Sequence, residues 1–415
     1  MSGVLPVSKD PASTGGLLPG GAVETGDQEG DAGVESHLFD HMSTWIELFY
    51  DLIFVAAILI FSEAVAHVHP SSGLAWIILV FSASWWVWFT TTVCANRFHM
   101  TDLWHRLLLL FQMMVIVLMA MEARASLTGD STYLALEYAV LLATIAAMFW
   151  RAMRHGGTDR RYAQRLATLN GVASAAFFVA VFVPETARLG VVAIAFAFLV
   201  VSSTVESQHL SDFSARDERH FVERMGAFTL IVCGESFIEV AISVSNKSLQ
   251  SIDVVSLAFE FVLVFAIFTG YFEDIPAAGV NQRRFGWWAF FNLVAQICIA
   301  GTAISASKLV NLDAAHRLPD TEILKLMVPL AALYVALAGI SACTRRRPIG
   351  PLVACRLVTA MAVVVLGLAA WWIPWIHMAE ALPIFVAIAI VNAVLVVRLR
   401  SGTEAVSADQ LRSLR

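Results

Sequence analysis

The chain predicts an all-α, polytopic transmembrane helical bundle of about twelve spans, and three observations carry that reading. Of 415 residues, 58% are hydrophobic and 14% are charged, whereas charged residues make up about a quarter of soluble domains. The apolar residues gather into runs of about 20, the length that a helix rising 1.5 Å per residue needs to cross the hydrocarbon. A segment near residue 50 also lies in register with one near residue 230, which predicts two parallel six-helix repeats.

Residues 1–42 are rich in Gly, Ser, Pro and acids. They hold no sustained apolar run and no basic stretch leading into a cleavable one, and read as a disordered cytoplasmic tail. Twelve apolar runs follow, at about 45–67, 73–95, 103–124, 132–151, 165–183, 189–207, 221–244, 252–273, 286–307, 322–343, 352–373 and 380–399. The longer intervals, Arg151–Arg165 and Glu206–Glu223, are charged but carry no globular pattern. The first six-helix half is expected over 43–220, the second over 221–400, and a short cytoplasmic tail over 401–415.

Of the 27 Lys and Arg, all but Arg124, Arg188, Lys247, Lys308, Arg317 and Lys325 fall on the side of the N-terminus. The positive-inside rule then puts both termini in the cytoplasm, and an even span count agrees. The net charge of −6 argues against a nucleic-acid partner. Expected partners are membrane lipids and an unknown small-molecule or ion substrate.

The repeat rests on laying Val222–Ile242 beneath Ile46–Ala66, which puts Glu223 under Glu47 and Glu239 under Glu63. Six spans separate the copies, so both enter the membrane in one direction. A weaker echo pairs Phe89-Thr90 with Phe268-Thr269.

Ionisable groups at membrane depth are costly, and they normally face a partner, a cavity or a pathway. Glu47 and Asp51 share a helical face at i,i+4, and span three begins on the same side with Asp102, His105 and Arg106. An Arg106–Glu47/Asp51 pair is expected, either as a structural tie or as a gate. Glu235 and Glu239 form a second i,i+4 pair, with Glu235 roughly 18 Å beyond Glu223. Glu260 on span eight is placed at similar depth, while Glu63, His67 and His69 lie nearer the outer end of span one. Clustered acids in low dielectric share protons, as proton-coupled sites require; helix packing is the plainer reading. The predicted transport or coupling set is therefore Glu47, Asp51, Glu63, Glu223, Glu235, Glu239 and Glu260, with Arg106 and Arg224 as counter-charges. Asp102, His105, Ser236, Asn292 and Gln296 supply a polar lining.

Gly234-Glu235-Ser236 marks either a local unwinding of span seven or close helix packing. Trp76, Trp104, Trp287, Trp288, Trp371, Trp372 and Trp375 fall near the interfaces, where an aromatic belt is expected. Trp85, Trp86 and Trp88 sit too deep for that belt; they either pack or wall a cavity. Cys94, Cys233, Cys298, Cys343 and Cys355 read as packing residues. No HExxH, P-loop or GxSxG motif is present, so no catalytic residue, cofactor or metal is predicted.

Several blocks resemble one family. Glu47-Leu48-Phe49-Tyr50-Asp51-Leu52-Ile53-Phe54-Val55 is similar to the opening signature of the bacterial low temperature requirement A (LtrA) family. Asn96-Arg97-Phe98 with Asp102-Leu103-Trp104-His105-Arg106-Leu107 resembles its second block, and His220–Gly226 with Gly234-Glu235-Ser236 its third. Span nine departs from the pattern: Phe290-Phe291-Asn292-Leu293-Val294 stands where the family has Tyr-x-x-His-Leu-Pro, and an asparagine cannot carry a proton as histidine does. The resemblance implies a multipass protein of the cell (inner) membrane linked by name to growth in the cold, without a defined activity. The leading functional reading is a secondary transporter or permease, proton coupling included. The alternatives are a membrane-embedded enzyme or lipid-handling protein of cold or stress adaptation, and a structural or stress-sensing component.

Overall fold

Apolar runs of this length have to become helices, because a bilayer offers no water to satisfy a backbone left open. The structure, a computed structural model, describes residues 46–54, 56–58, 60, 71–98, 102–125, 131–155, 159–207, 215–245, 254–273, 279–310, 320–344, 350–372 and 378–413. Helix α1 covers 46–54 and resumes at 56–58 and 60. It is followed by α2 (Ser71–Phe98), α3 (Leu103–Ala125), α4 (Thr132–His155), α5 (Arg160–Ala180), α6 (Glu185–Ser207) and α7 (Ala215–Ser245). Then come α8 (Val254–Phe272), α9 (Phe285–Val310), α10 (Asp320–Cys343), α11 (Gly350–Trp372) and α12 (Met378–Ser413). Apart from one bridge between Val280 and Thr344, no β pairing forms among the described residues.

Eight of these helices, α2, α3, α4, α6, α9, α10, α11 and α12, are long and apolar enough to cross a membrane. The apolar part of α8, Leu257–Phe272, is shorter. Helices α5 and α7 carry polar first turns, Arg160-Arg161 and Arg216–Arg219 among them, which lower their mean hydropathy. Helix α2 is the central element: 83% of its most apolar window is buried, against 11% for α6 on the periphery.

Packing runs between sequence neighbours, α3 on α4, α4 on α5 and α5 on α6, then α9 on α10, α10 on α11 and α11 on α12, with α8 against α12. Contacts of α2 with α7 and α9, and of α6 with α9, join the earlier helices to the later ones. Glycines set how closely α9, α10 and α11 approach, as expected where backbone proximity rather than water expulsion drives helix association. Gly301 of α9 faces the ring of Pro329, which α10 holds within its helix. A Cβ on Gly339 of α10 would lie 2.5 Å from the Phe291 ring, and Gly367 of α11 receives the Met327 side chain. Gly234 has no such neighbour among the described residues, and α7 continues unbroken through 234–236. Among those residues neither unwinding nor close packing accounts for that glycine.

Charged groups collect where odd-numbered helices begin and even-numbered helices end. Arg97 grips Asp159 with two hydrogen bonds of 2.7 and 2.9 Å, Arg165 meets Glu206 at 2.7 Å, and Arg151 pairs with Asp102. Arg284 donates to the Ala342 carbonyl at 2.6 Å, and Glu218 accepts from the Val280 amide at 2.6 Å. At the opposite end, the buried Arg188 donates to the Ala180 and Val183 carbonyls at 3.2 and 3.1 Å, capping the exit of α5, where carbonyls lack partners and the helix dipole favours a cation. Two tryptophans assigned to the interfacial belt, Trp76 and Trp288, are instead buried between helices, while Trp104, Trp287, Trp371 and Trp372 are exposed.

Gly339→Ala drives a methyl into the Phe291 ring and is expected to cost about 1–3 kcal/mol. Thermal unfolding in detergent measures it, with Gly234→Ala, which meets open space, as the silent control.

Candidate functional site: a buried ion pair between α1 and α7

In α1 the helical period places Tyr50, Asp51, Phe54, Ala57 and Ile58 on one buried face and Leu48, Phe49 and Leu52 on the exposed one. The carboxylate of Asp51 therefore points inward, with the residue only 1% exposed. Helix α7 answers with a face bearing Phe221, Arg224, Met225, Phe228, Val232, Glu235 and Ser236, all buried. Glu223 lies one step, about 100°, around the helix and is exposed. Glu47 and Glu223, aligned by the repeat, thus occupy different surroundings.

Of the two counter-charges expected from sequence, Arg106 and Arg224, it is Arg224 that the structure brings to Glu47 and Asp51. Its Nη2 donates to Asp51 Oδ1 at 2.6 Å, and its Nη1 lies 3.6 Å from Glu47 Oε2. Trp88 Nε1 of α2 donates to the same Asp51 Oδ1 at 2.7 Å. His220, one turn before Arg224, reaches Glu47 Oε2 at 3.7 Å and Asn96 Oδ1 at 3.1 Å. The cluster is roofed by aromatic rings: Phe228 lies 4.4 Å from Trp88 and 5.9 Å from Phe54, which in turn touches Tyr50 at 5.5 Å. Buried charges need both pairing and hydrogen bonds to be tolerated, and this site provides them at Asp51 Oδ1, while Asp51 Oδ2 and Arg224 Nε meet no partner among the described residues.

Below the ion pair run three side-chain amide junctions. Gln112 of α3 accepts from the Tyr50 hydroxyl at 3.1 Å and donates to Thr144 of α4 at 2.8 Å. Gln296 of α9 accepts from the Trp85 indole and donates to Thr229 of α7 at 2.8 Å. Asn292 accepts from the Tyr271 hydroxyl at 2.6 Å and donates to the Trp288 carbonyl at 2.8 Å. Each ties two or three helices together, and Tyr50, Tyr271, Thr229 and Thr144 were not legible as site residues in the sequence. Ser236 returns its hydroxyl toward the Val232 carbonyl at 3.4 Å.

Glu235 and Glu260 are buried, at 2% and 0% exposure. Their relative height follows from two contacts between α7 and α8. Gly226 faces Phe272, and Phe237 lies 4.8 Å from Phe261. In that antiparallel register Glu235 is level with Leu263, which sets the two acids about 4.5 Å apart along the helix axes. Asp102 lies on the rim, exposed and paired with Arg151, while His105, one turn on, is buried. Glu63, His67 and His69 lie outside the described residues, and only the helical backbone of Glu239 is described.

The family model described as bacterial low temperature requirement A protein (LtrA) matches residues 42–397. The chain belongs to that family. No curated protein and no solved structure matches it. In this LtrA chain the three blocks quoted above converge: the first supplies Asp51, the second Asn96, and the third His220 and Arg224, so the first and third meet in one ion pair. Asn292 of the LtrA chain serves as a hydrogen-bond junction that has no proton to exchange.

Arg224→Ala strands the buried Asp51 carboxylate and is expected to destabilise the fold by about 3–5 kcal/mol. Asp51→Asn combined with Arg224→Gln should recover a substantial part of that loss. A double-mutant cycle on detergent unfolding midpoints reads the coupling; additive effects would show that the pair contributes nothing of its own.

Proposed function

We propose that this LtrA chain is a secondary transporter or permease of the cell membrane, proton-coupled, with twelve spans and cytoplasmic termini. In this reading the halves 43–220 and 221–400 are parallel repeats, and the ion pair joining the first helix of each is the latch between them. The observation that carries the reading is that latch: Asp51 and Arg224 are held by 2.6 Å of charge-assisted hydrogen bond across α1 and α7. The like order of packing, α3 to α6 in one half and α9 to α12 in the other, supports the repeat.

A pair in low dielectric is bistable in a useful way. Protonating Asp51 removes the attraction that holds Arg224, and the guanidinium, which never deprotonates, then needs a new acceptor. Glu47 is the nearest candidate, already 3.6 Å away. Proton uptake at Asp51 would thus trade one partner for another and loosen α1 from α7. Glu235 and Glu260, with Glu63 and Glu239, are assigned to coupling along the interior, with Asp102, His105, Ser236, Asn292 and Gln296 as its polar lining. The excess of Arg and Lys at the rim where odd helices begin supports placing that rim in the cytoplasm.

The test does not require the substrate to be identified. Metabolite pools are compared at two temperatures in cells lacking the protein and in cells carrying wild type, Asp51→Asn or Glu235→Gln, each at matched membrane abundance. Both variants are expected to reproduce the deletion's pool changes. Variant pools identical to wild type would remove these acids from any transport step, and a deletion without pool changes would remove the permease reading itself.

A further inference from the structure

A cavity of about 40 Å³ lies away from the ion pair, between α2, α5, α6 and α9. Its walls are aromatic and aliphatic, with Phe89, Val93, Phe285 and Leu293 among them, and no acid, lysine, arginine or histidine lines it. Three of its lining side chains are polar, at least nine-tenths buried and, among the described residues, without a hydrogen-bond partner: Trp86 Nε1, Thr90 Oγ1 and Ser203 Oγ, at 6%, 5% and 9% exposure. Trp86 and Thr90 are i,i+4 and so share one face of α2; Ser203 comes from α6 opposite. Helical hydroxyls need not be orphaned in this way. Ser82 and Ser84 on the same helix donate to the carbonyls one turn back at 2.7 and 2.9 Å.

The chemistry of the three groups describes an occupant. An indole N–H only donates, and a hydroxyl donates and accepts. A group that satisfies all three must carry an acceptor oxygen, must be uncharged, since nothing in the wall would balance an ion, and must be joined to an apolar body. Two positions narrow it further. Phe290, which lines the cavity, is 45% exposed, so the cavity reaches the lipid-facing surface of the bundle. The charged rim is close: Ser203 precedes Glu206 by one turn, Phe285 follows Arg284 directly, and Thr90 lies about 10 Å from Arg97 along α2. That is the depth at which acyl esters sit in a bilayer, between headgroup and hydrocarbon.

We propose that this cavity binds the acyl-ester carbonyl of a bilayer glycerolipid, with Trp86, Thr90 and Ser203 as hydrogen-bonding partners and the acyl chain running out past Phe290. The cavity has room for an ester group and not for a headgroup, so the site recognises the linkage and is blind to headgroup charge. It does not depend on the permease reading.

The test uses the full chain in nanodiscs of a diacyl phosphatidylcholine or of its dialkyl ether counterpart, which keeps headgroup and chains but lacks the carbonyls. Native mass spectrometry counts the lipids that remain after release. The diester is expected to leave one resistant copy, retained about fivefold more than the diether. Trp86→Phe and the double variant Thr90→Val with Ser203→Ala should bring diester retention down to the diether level. Thr302→Val, which removes a buried hydroxyl elsewhere on α9, should not. Equal retention of the two lipids by wild type, a comparison that needs no variant to fold, would overturn the ester site, as would variants that retain the diester like wild type and leave the three groups to water. Ethyl butyrate added to ether-lipid discs separates the sources. Stabilisation by it without diester retention would reassign the cavity to a diffusible ester and overturn the lipid.

Discussion

Within a bilayer, a polar group that leaves water has to find its partner inside the protein, and the pairing of Asp51 with Arg224 is where this chain meets that requirement most sharply. A lone carboxylate or guanidinium at this position would be several kcal/mol out of balance. Together they are held by a 2.6 Å contact, braced by the Trp88 indole and roofed by Phe54 and Phe228. The same requirement shapes the rest. Gln112, Asn292 and Gln296 each spend their amide groups on two or more helices, and Arg188 is satisfied by carbonyls at the end of α5. The polar groups that decorate the interior are therefore also its fasteners.

Helix α2 organises these fasteners because its three central tryptophans point to three places. Trp88 donates to Asp51, Trp85 donates to Gln296, and Trp86 lines the lateral cavity. Successive helical positions turn by about 100°, so a cluster of nearly adjacent large side chains on a fully surrounded helix has to serve different neighbours. That explains why α2 is buried almost throughout while α6 remains at the periphery. It also links the ion pair to the amide junctions through one rigid element.

Most of the helix map was legible in the sequence, because apolar length is a direct consequence of bilayer thickness: the runs near 73–95, 103–124 and 352–373 became α2, α3 and α11. The ends were less so. Helices α4 and α7 extend into charged sequence, to His155 and from Ala215, since nothing stops a helix where the hydrocarbon stops. Among the described residues, eight of the expected twelve spans meet the length and apolarity that crossing demands, the polar first turns of α5 and α7 blurring the signal and the apolar part of α8 falling short. In the site, Asp51 stood out because an acid in an apolar run is conspicuous. Arg224 was legible as a counter-charge but not as the partner of Asp51, because it sits in a segment already full of charge and meets α1 only through tertiary packing. Arg106 was nearer in sequence and lost to an arginine on α7. Trp76 and Trp288 went astray for a related reason: distance from a span's end predicts depth, but not which side of the helix a ring occupies.

The burial of Arg356 has a mechanical consequence. Its guanidinium donates to the Gly270 carbonyl at the end of α8 and to the Leu337 carbonyl and Ser341 hydroxyl of α10, each near 2.6 Å, while the side chain itself belongs to α11. Because arginine holds its charge at any accessible pH, sliding one of these three helices along its axis would pull a permanent cation away from oxygens that lipid cannot replace. Helices α8, α10 and α11 are thereby riveted to one another by a single side chain, and axial slip among them has to break these bonds first.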